Sequence, residues 1–226
     1  TQEATAKRTY PAIQRAIELV DYVESERPGV GKNLRPRLAV ENRLPEFIEE
    51  ALKLRGVPGG LADLLRRMPG PAAEHLAARF SRTGFRDDCE LLVSMTQVLG
   101  AEGLDHLRKQ FRMGNWSEAI DAIGLLARLD LESLEQSLPA RMREWKRTAH
   151  DRVVRQIAAS AAPERGRLLL DIFDFMDALI RPLAVDEIGL SGERGADMRL
   201  VRLAEGDIPK DATEYLRLKA IEALGR

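Results

Sequence analysis

Three arginines recur at equivalent positions of three similar segments in the second half of the chain. Residues 178–189 read ALIRPLAVDEIG, residues 214–225 read EYLRLKAIEALG, and residues 154–162 read VRQIAASAA. Aligned, these segments place Arg155, Arg181 and Arg217 in one column. A guanidinium group donates hydrogen bonds in a planar fork that fits a carboxylate or a phosphate. A row of three such groups would therefore suit an acidic or phosphorylated ligand.

The residues around these arginines predict the elements that position them. In the two longer segments the shared apolar residues lie at i, i+4, i+5 and i+8, which is one face of an α-helix, and each segment ends in a helix-stopping glycine. The aligned pairs are Ile180/Leu216, Ala184/Ala220, Val185/Ile221, Ile188/Leu224 and Gly189/Gly225. Helical self-similarity with a period of about thirty residues is typical of stacked two-helix repeats.

The arginine column has two interpretations. In the first, the guanidinium groups face solvent and bind an acidic or phosphate ligand. In the second, each arginine bonds to an acidic residue of its own or the adjoining repeat, and the column is an internal ladder. Acidic residues that could neutralise the column are close in sequence: Asp151, Asp186, Glu187, Asp211 and Glu222. Their number favours the internal ladder.

A second candidate surface lies at the most basic stretch, RMREWKRTAHDR, residues 141–152. Trp145 stands among arginines and lysines there, and buried aromatic residues with arginine are enriched at binding hot spots. Packing of Trp145 in the core is the alternative, and the sequence favours it. We expect the following residues on the binding face of the second helices or beside it: Arg155, Arg181, Asp186, Arg217, Lys219, Glu222, Trp145 and Arg147.

Motifs for catalysis or metal binding are weak. His150-Asp151 invites comparison with metal phosphohydrolases, but the other histidines, His75 and His106, make no ligand pair with it. We read Asp151 as an acidic residue at the positive end of a helix. Cys89 has no histidine–asparagine arrangement to activate it and is expected to be a small core residue. The sequence therefore predicts no catalytic residues, no metal and no cofactor.

Composition sets the class of protein. The 226 residues are 44% hydrophobic and only 5% aromatic, a mixture that suits amphipathic helices better than sheets. Thirty-five basic residues against 36 acidic ones give a net charge of −1, which does not favour a nucleic-acid partner. No apolar run is long enough to cross a bilayer, so we expect no membrane insertion. A single cysteine is compatible with a reducing compartment, and we expect a cytoplasmic protein.

The order of elements predicts two regions. Residues 1–43 are read as an N-terminal helix, over about 11–26, followed by a proline- and glycine-containing linker. Residues 44–226 are read as about six antiparallel helix pairs, with the last four at 101–130, 131–162, 163–192 and 193–226. The predicted fold is therefore all-α, an α-α superhelix preceded by one extra helix.

These repeats resemble the HEAT family of helical hairpins. In that family a proline often kinks the first helix, an aspartate begins the second, and a Val-Arg pair follows. Pro139 matches the proline, Asp211 the aspartate, and Val154-Arg155, Ile180-Arg181 and Leu216-Arg217 the pair. The pattern is incomplete, because Ala149 and Phe175 stand at two aspartate positions and Ala119 replaces one arginine. The resemblance covers residues 101–226 well and extends to 44–100.

The resemblance implies a non-catalytic scaffold that binds a protein or peptide, as one segment of a larger cytosolic or bacterial-type protein. The alternative is a binder of nucleic acid or a phosphorylated ligand through a concave arginine column. At the C-terminal end, the outer face of residues 193–226 is expected to expose Leu200, Leu203, Leu218 or Ile221. Such a face predicts either a dimer through that end or continuation of the repeats.

Overall fold

The computed structural model describes the backbone of residues 2–38, 40–209 and 211–226, and the side chains from Tyr10 onward except those at positions 32, 35–37, 39 and 210. Every regular element in these ranges is helical, and no strand occurs in them. The predicted all-α class is confirmed.

The chain forms two compact units, Thr1–Leu107 and Arg108–Arg226. The first unit holds the helices α1 (Gln2–Glu26), α2 (Val30–Leu38), α3 (Leu44–Leu54), α4 (Gly59–Arg67), α5 (Pro69–Phe80), α6 (Arg86–Val98) and most of α7 (Gly100–Met113). A 3-10 turn, Glu41–Arg43, precedes α3. The domain boundary predicted at residues 43 and 44 stays a prediction, but the linker read there contains α2, a nine-residue helix.

The second unit contains the recurring segments. Its elements are the end of α7, then α8 (Trp116–Leu129), α9 (Leu131–Glu144), α10 (Arg147–Ser160), α11 (Arg165–Ile172), α12 (Arg181–Ser191), α13 (Asp197–Glu205) and α14 (Glu214–Leu224). Each predicted repeat from residue 101 onward thus begins with one helix and closes with a second. Pro139 lies inside α9, as the sequence predicts for the first helix of its repeat.

The second helices of these repeats form a continuous row. α8 packs on α10, α10 contacts α12, and α12 packs on α14. On the other side α9 contacts α11, while α11 packs on α12 and α13 on α14. The seam between these helices is apolar, and fully buried residues line it: Ile123, Leu126, Leu138, Val153, Val154, Ile157, Leu168, Ala184, Val185 and Ala220. Neighbouring helices therefore supply each other's burial in this unit.

One predicted helix is shorter than its apolar pattern. The sequence reads PERGRLLLDIFDFMD as a single helix, but α11 ends at Ile172 and a 3-10 turn follows over Phe173–Phe175. Asp177 accounts for the end of this segment, because its Oδ1 accepts a hydrogen bond from the Leu179 N–H at 3.0 Å and so holds a turn. Phe173 and Met176 are both buried by this path of the chain.

The start of α8 yields a first testable expectation. Asn115 Oδ1 accepts from the N–H groups of Ser117 and Glu118 at 2.9 and 3.1 Å, and Glu118 accepts from the Asn115 N–H at 3.0 Å. This is a complete capping box. Asn115→Ala should lower the free energy of unfolding by about 1 kcal/mol, measured by urea denaturation, whereas Asn115→Ser keeps the cap. Equal losses in both variants would contradict a capping role.

Candidate interaction surface on the second helices

Arg155 lies on the exposed side of α10 and is neutralised within its own helix. Its Nε donates to Asp151 Oδ2 at 2.9 Å, four residues earlier. This bond and the attraction of the Asp151 charge raise the pKa of Arg155. Exposed i,i+4 pairs contribute only about 0.3–0.5 kcal/mol, so Arg155 can exchange Asp151 for another carboxylate at little cost.

Arg181 is held much more firmly than Arg155. Its side chain is 11% exposed, and its Nη1 donates to both carboxylate oxygens of Asp211, at 3.0 and 3.2 Å. The guanidinium carbon lies 5.9 Å from the centre of the Phe173 ring. Asp211 belongs to the segment leading into α14, so the bond joins the start of α12 to that segment. Arg181 stabilises the stack and presents little of its charge to solvent.

Arg217 completes the column without an aspartate. Its Nε donates to the backbone carbonyl of Ala204 at 2.9 Å, and the guanidinium lies against Gly206 in the turn after α13. The three arginines therefore have different surroundings: one surface pair, one pair between repeats and one bond to a carbonyl. Arg155 and Arg181 have the acidic partners that the internal-ladder interpretation expects, whereas Arg217 does not.

Asp186, Lys219 and Glu222 meet where α12 faces α14. Lys219 Nζ lies 3.2 Å from Asp186 Oδ2 and 3.0 Å from Glu222 Oε2, and the bonds to both carboxylates raise the pKa of Lys219. Arg226 adds a second cation to Asp186, at 3.4 Å. Sequence reasoning did not identify Arg226, because its role depends on the end of α14 returning to α12.

A second bond between packed helices, α10 and α8, involves a residue that sequence reasoning left outside the column. Arg152 on α10 donates to Asp121 Oδ1 on α8 at 3.0 Å and to the Ser117 hydroxyl at 3.1 Å. Its guanidinium also lies 5.4 Å from the centre of the Trp116 ring. Arg152 therefore joins α10 to α8, and Lys219 joins α14 to α12. This is the joining role that was expected of the arginine column.

Trp145 occupies the corner where α9 ends and α10 begins. It is half-buried: its ring meets Phe111 edge-on, with centroids 6.3 Å apart, and the Arg141 guanidinium lies 5.1 Å from its centre. Arg141 is itself fixed by a bond to the Gly114 carbonyl at 3.0 Å. The ring is thus rigidly packed on one side and open to solvent on the other. The core interpretation of Trp145 holds for the packed side of the ring, and its role in a contact surface stays a prediction.

Cations surround the open side of this corner. Arg143, Lys146 and Arg147 are exposed, and among the described residues none of them forms an ion pair. The Arg143 guanidinium carbon lies 4.3 Å from the centre of the Phe175 ring. We call this group, Trp145 with Arg143, Lys146 and Arg147, the α9–α10 corner. Its three cations have no ion-pair partner among the described residues, unlike Arg155 and Arg181 of the arginine column.

His150 holds the corner in place. It is buried, its Nε2 lies 2.9 Å from the Met142 carbonyl, and its Nδ1 accepts from the Asp177 N–H at 2.9 Å. Because a backbone N–H can only donate, Nδ1 is unprotonated and Nε2 carries the hydrogen that Met142 accepts. The imidazole therefore links the end of α9 to the turn before α12. This explains His150 without a metal.

The described residues contain no group of three His, Cys, Asp or Glu side chains placed to hold a metal ion. In the first unit an open groove of about 830 Å³ is lined by charged residues and by the exposed Phe85. Its central Arg79 bonds to Glu49 and lies 3.3 Å from Asp88, so these charges satisfy one another. Cys89 is buried, as predicted for a core residue.

No helix in the described ranges is both long enough and apolar enough to span a bilayer. Comparison with known proteins gives no match: neither a protein-family model, nor a curated protein, nor a solved structure is significantly similar to this chain.

Proposed function

We propose that this protein is a non-catalytic interaction scaffold built from HEAT-like helix pairs, and that it binds an acidic polypeptide segment at the α9–α10 corner. Three features support the repeat arrangement: the continuous row from α8 to α14, the apolar seam between its members, and the ion pairs that join neighbouring second helices. Stacked hairpins of this kind present long concave surfaces suited to extended partners.

The single observation that carries the choice of partner is the contrast in charge neutralisation. Arg181, Lys219 and Arg152 are bonded to carboxylates inside the protein, whereas Arg143, Lys146 and Arg147 have no ion pair in the described part of the chain. A carboxylate-bearing segment would neutralise these three groups at the rim, and Trp145 would supply the rigid aromatic contact. This favours an acidic peptide over the nucleic-acid alternative, because two of the three arginines that were to hold phosphates, Arg155 and Arg181, already bond to carboxylates.

The test is selection of peptides from a random display library on the immobilised protein, followed by affinity measurement with fluorescent synthetic peptides. We expect the selected peptides to be enriched in Asp and Glu next to an aromatic or aliphatic residue. Charge reversal in Arg143→Glu/Lys146→Glu/Arg147→Glu should weaken binding at least about tenfold, and Trp145→Ala by a similar factor, as for loss of a hot spot.

The matched control reverses three exposed cations elsewhere in the same unit, Arg112→Glu/Arg194→Glu/Arg202→Glu, which changes the net charge equally. This variant should bind nearly as well as the wild type. Equal weakening in both triple variants would reduce the effect to net charge and contradict a defined site. Tight binding of a DNA oligonucleotide, with an affinity that falls steeply between low and moderate salt, would instead support the phosphate-binding alternative.

A further inference from the structure

An exposed apolar face runs along α14, opposite its buried stripe. Leu216, Ala220 and Ala223 are buried against the rest of the unit, whereas Leu218 and Ile221 are 57% and 56% exposed. The expectation that the end repeat exposes apolar residues therefore holds for Leu218 and Ile221, but it is wrong for Leu200 and Leu203, which are buried. These two residues lie on the inward face of α13, and they are buried because α13 packs on α14.

The equivalent face of α12 shows what such a surface is for. In the aligned repeats Leu218, Ile221 and Gly225 occupy the positions of Pro182, Val185 and Gly189. Val185 is fully buried, and together with Leu200 and Leu203 of α13 it lines one small gap. Gly189 lies so close to α14 that a β-carbon there would be 2.8 Å from that of Ala223. With this face α12 receives the whole α13–α14 hairpin.

Each of the two faces also carries a carboxylate at the equivalent position. On α12, Asp186 receives Lys219 and Arg226 from the hairpin that docks on it, at 3.2 and 3.4 Å. On α14 the equivalent residue is Glu222, and the cation beside it is Lys219 of its own helix, at 3.0 Å. A docking hairpin with a basic residue in the Lys219 position would therefore find an apolar stripe and, in the position of Asp186, a carboxylate that it would share with Lys219 of α14.

We infer that the outer face of α14, formed by Leu218, Ile221, Glu222 and Gly225, docks a helical hairpin of another protein. The contacting helix of that partner carries small apolar residues and a lysine or arginine in the spacing of Leu216, Lys219, Ala220 and Ala223. A second copy of this chain does not provide it, since the same face of its own α14 is already buried on α12. The inference rests on the repeat arrangement proposed above but uses a surface separate from the α9–α10 corner.

The probe is a duplicate of residues 193–226 joined after Arg226 of the full chain, which presents the partner's chemistry at high effective concentration. Ile221→Cys in the original copy reports docking through its rate of labelling by a thiol reagent, because the native Cys89 is buried. We expect the duplicate to slow labelling at least about tenfold, as for a residue reached only by local opening. Leu218→Cys should be slowed less than Ile221→Cys, because its counterpart Pro182 stays half-buried beside the docked hairpin whereas Val185 is fully buried.

Two controls define the result. Tyr215→Cys should label equally fast with and without the duplicate, because its counterpart Leu179 stays 70% exposed beside the docked hairpin. A duplicate whose own Lys219 and Ala220 are both changed to Glu should give no protection of Ile221→Cys. Unchanged labelling with the unaltered duplicate would overturn the inference.

A dimer of the unmodified chain that Ile221→Glu dissociates would also overturn it, because the face would then serve self-association. Light scattering of the two proteins checks this, with a monomer expected for both. Binding of acidic peptides at the α9–α10 corner is measured separately on the same variants. A negative result for the α14 face therefore does not decide whether the corner binds peptides, and the reverse is also true.

Discussion

His150→Ala should lower the free energy of unfolding by about 3–5 kcal/mol, the largest effect we expect from any single polar residue here. The substitution leaves the Met142 carbonyl and the Asp177 N–H buried without their partner and opens a cavity at the end of α9. A buried group deprived of its hydrogen bond costs about 1–3 kcal/mol, and the cavity adds to this cost. Urea unfolding followed by tryptophan fluorescence measures it, since Trp116 and Trp145 both lie in the second unit.

His150→Phe separates the two causes. The phenyl ring restores most of the volume but cannot bond to either backbone group, so it should still cost about 2–4 kcal/mol. A His150→Phe protein as stable as the wild type would contradict the role of the hydrogen bonds. Peptide affinity should fall in His150→Ala as well, because the imidazole fixes the start of α10, on which the α9–α10 corner depends.

Gly189→Leu should be similarly destabilising, by about 2–4 kcal/mol, although leucine is the better helix former. A β-carbon at this position would lie 2.8 Å from the Ala223 β-carbon and 2.9 Å from its α-carbon. One of these two atoms is backbone, so the clash is relieved only if α12 and α14 separate. Gly189→Ala should already lose stability, which reverses the gain of about 1 kcal/mol that Gly-to-Ala gives in an unhindered helix.

Gly195→Ala is the matched control in the same unit. It lies in the exposed turn before α13, and the nearest atom to a β-carbon there is Glu193 Oε1 at 3.7 Å. Its stability should stay within about 0.5 kcal/mol of the wild type, as for most surface substitutions. If Gly189→Ala stabilises the protein instead, the close approach of α12 and α14 is not required by the fold.

Two carboxyl groups of the second unit have pKa values shifted in opposite directions. Partial burial acts to raise the pKa of Asp130, but hydrogen bonds from Arg108 and Ser133 outweigh it and lower that pKa. At Glu187, burial dominates and raises the pKa of the carboxyl. Asp130 therefore stabilises the fold above its unfolded-state pKa, and this contribution is lost as the pH falls through its lowered folded-state value. The ionised carboxylate of Glu187, whose pKa is raised in the folded state, instead lowers the stability of the fold.

The sequence by itself determined the features that depend on neighbours within one helix. Apolar spacing predicted the all-α class and the paired helices from residue 101 onward. Arg155 with Asp151 is an i,i+4 pair that helix geometry alone brings together. Such features follow from the 3.6-residue turn and require no knowledge of what packs where.

Only the tertiary structure decided which charges remain free. Arg181 meets Asp211 and Lys219 meets Asp186 across 30 or more positions of the chain, so their neutralisation depends on how the helices stack. The same packing buries Leu200 and Leu203 and leaves Leu218 and Ile221 exposed, although all four belong to similar apolar stripes. An apolar stripe can be identified from local sequence. Whether a neighbouring helix covers it depends on long-range burial of apolar surface, which the sequence of a single helix does not determine.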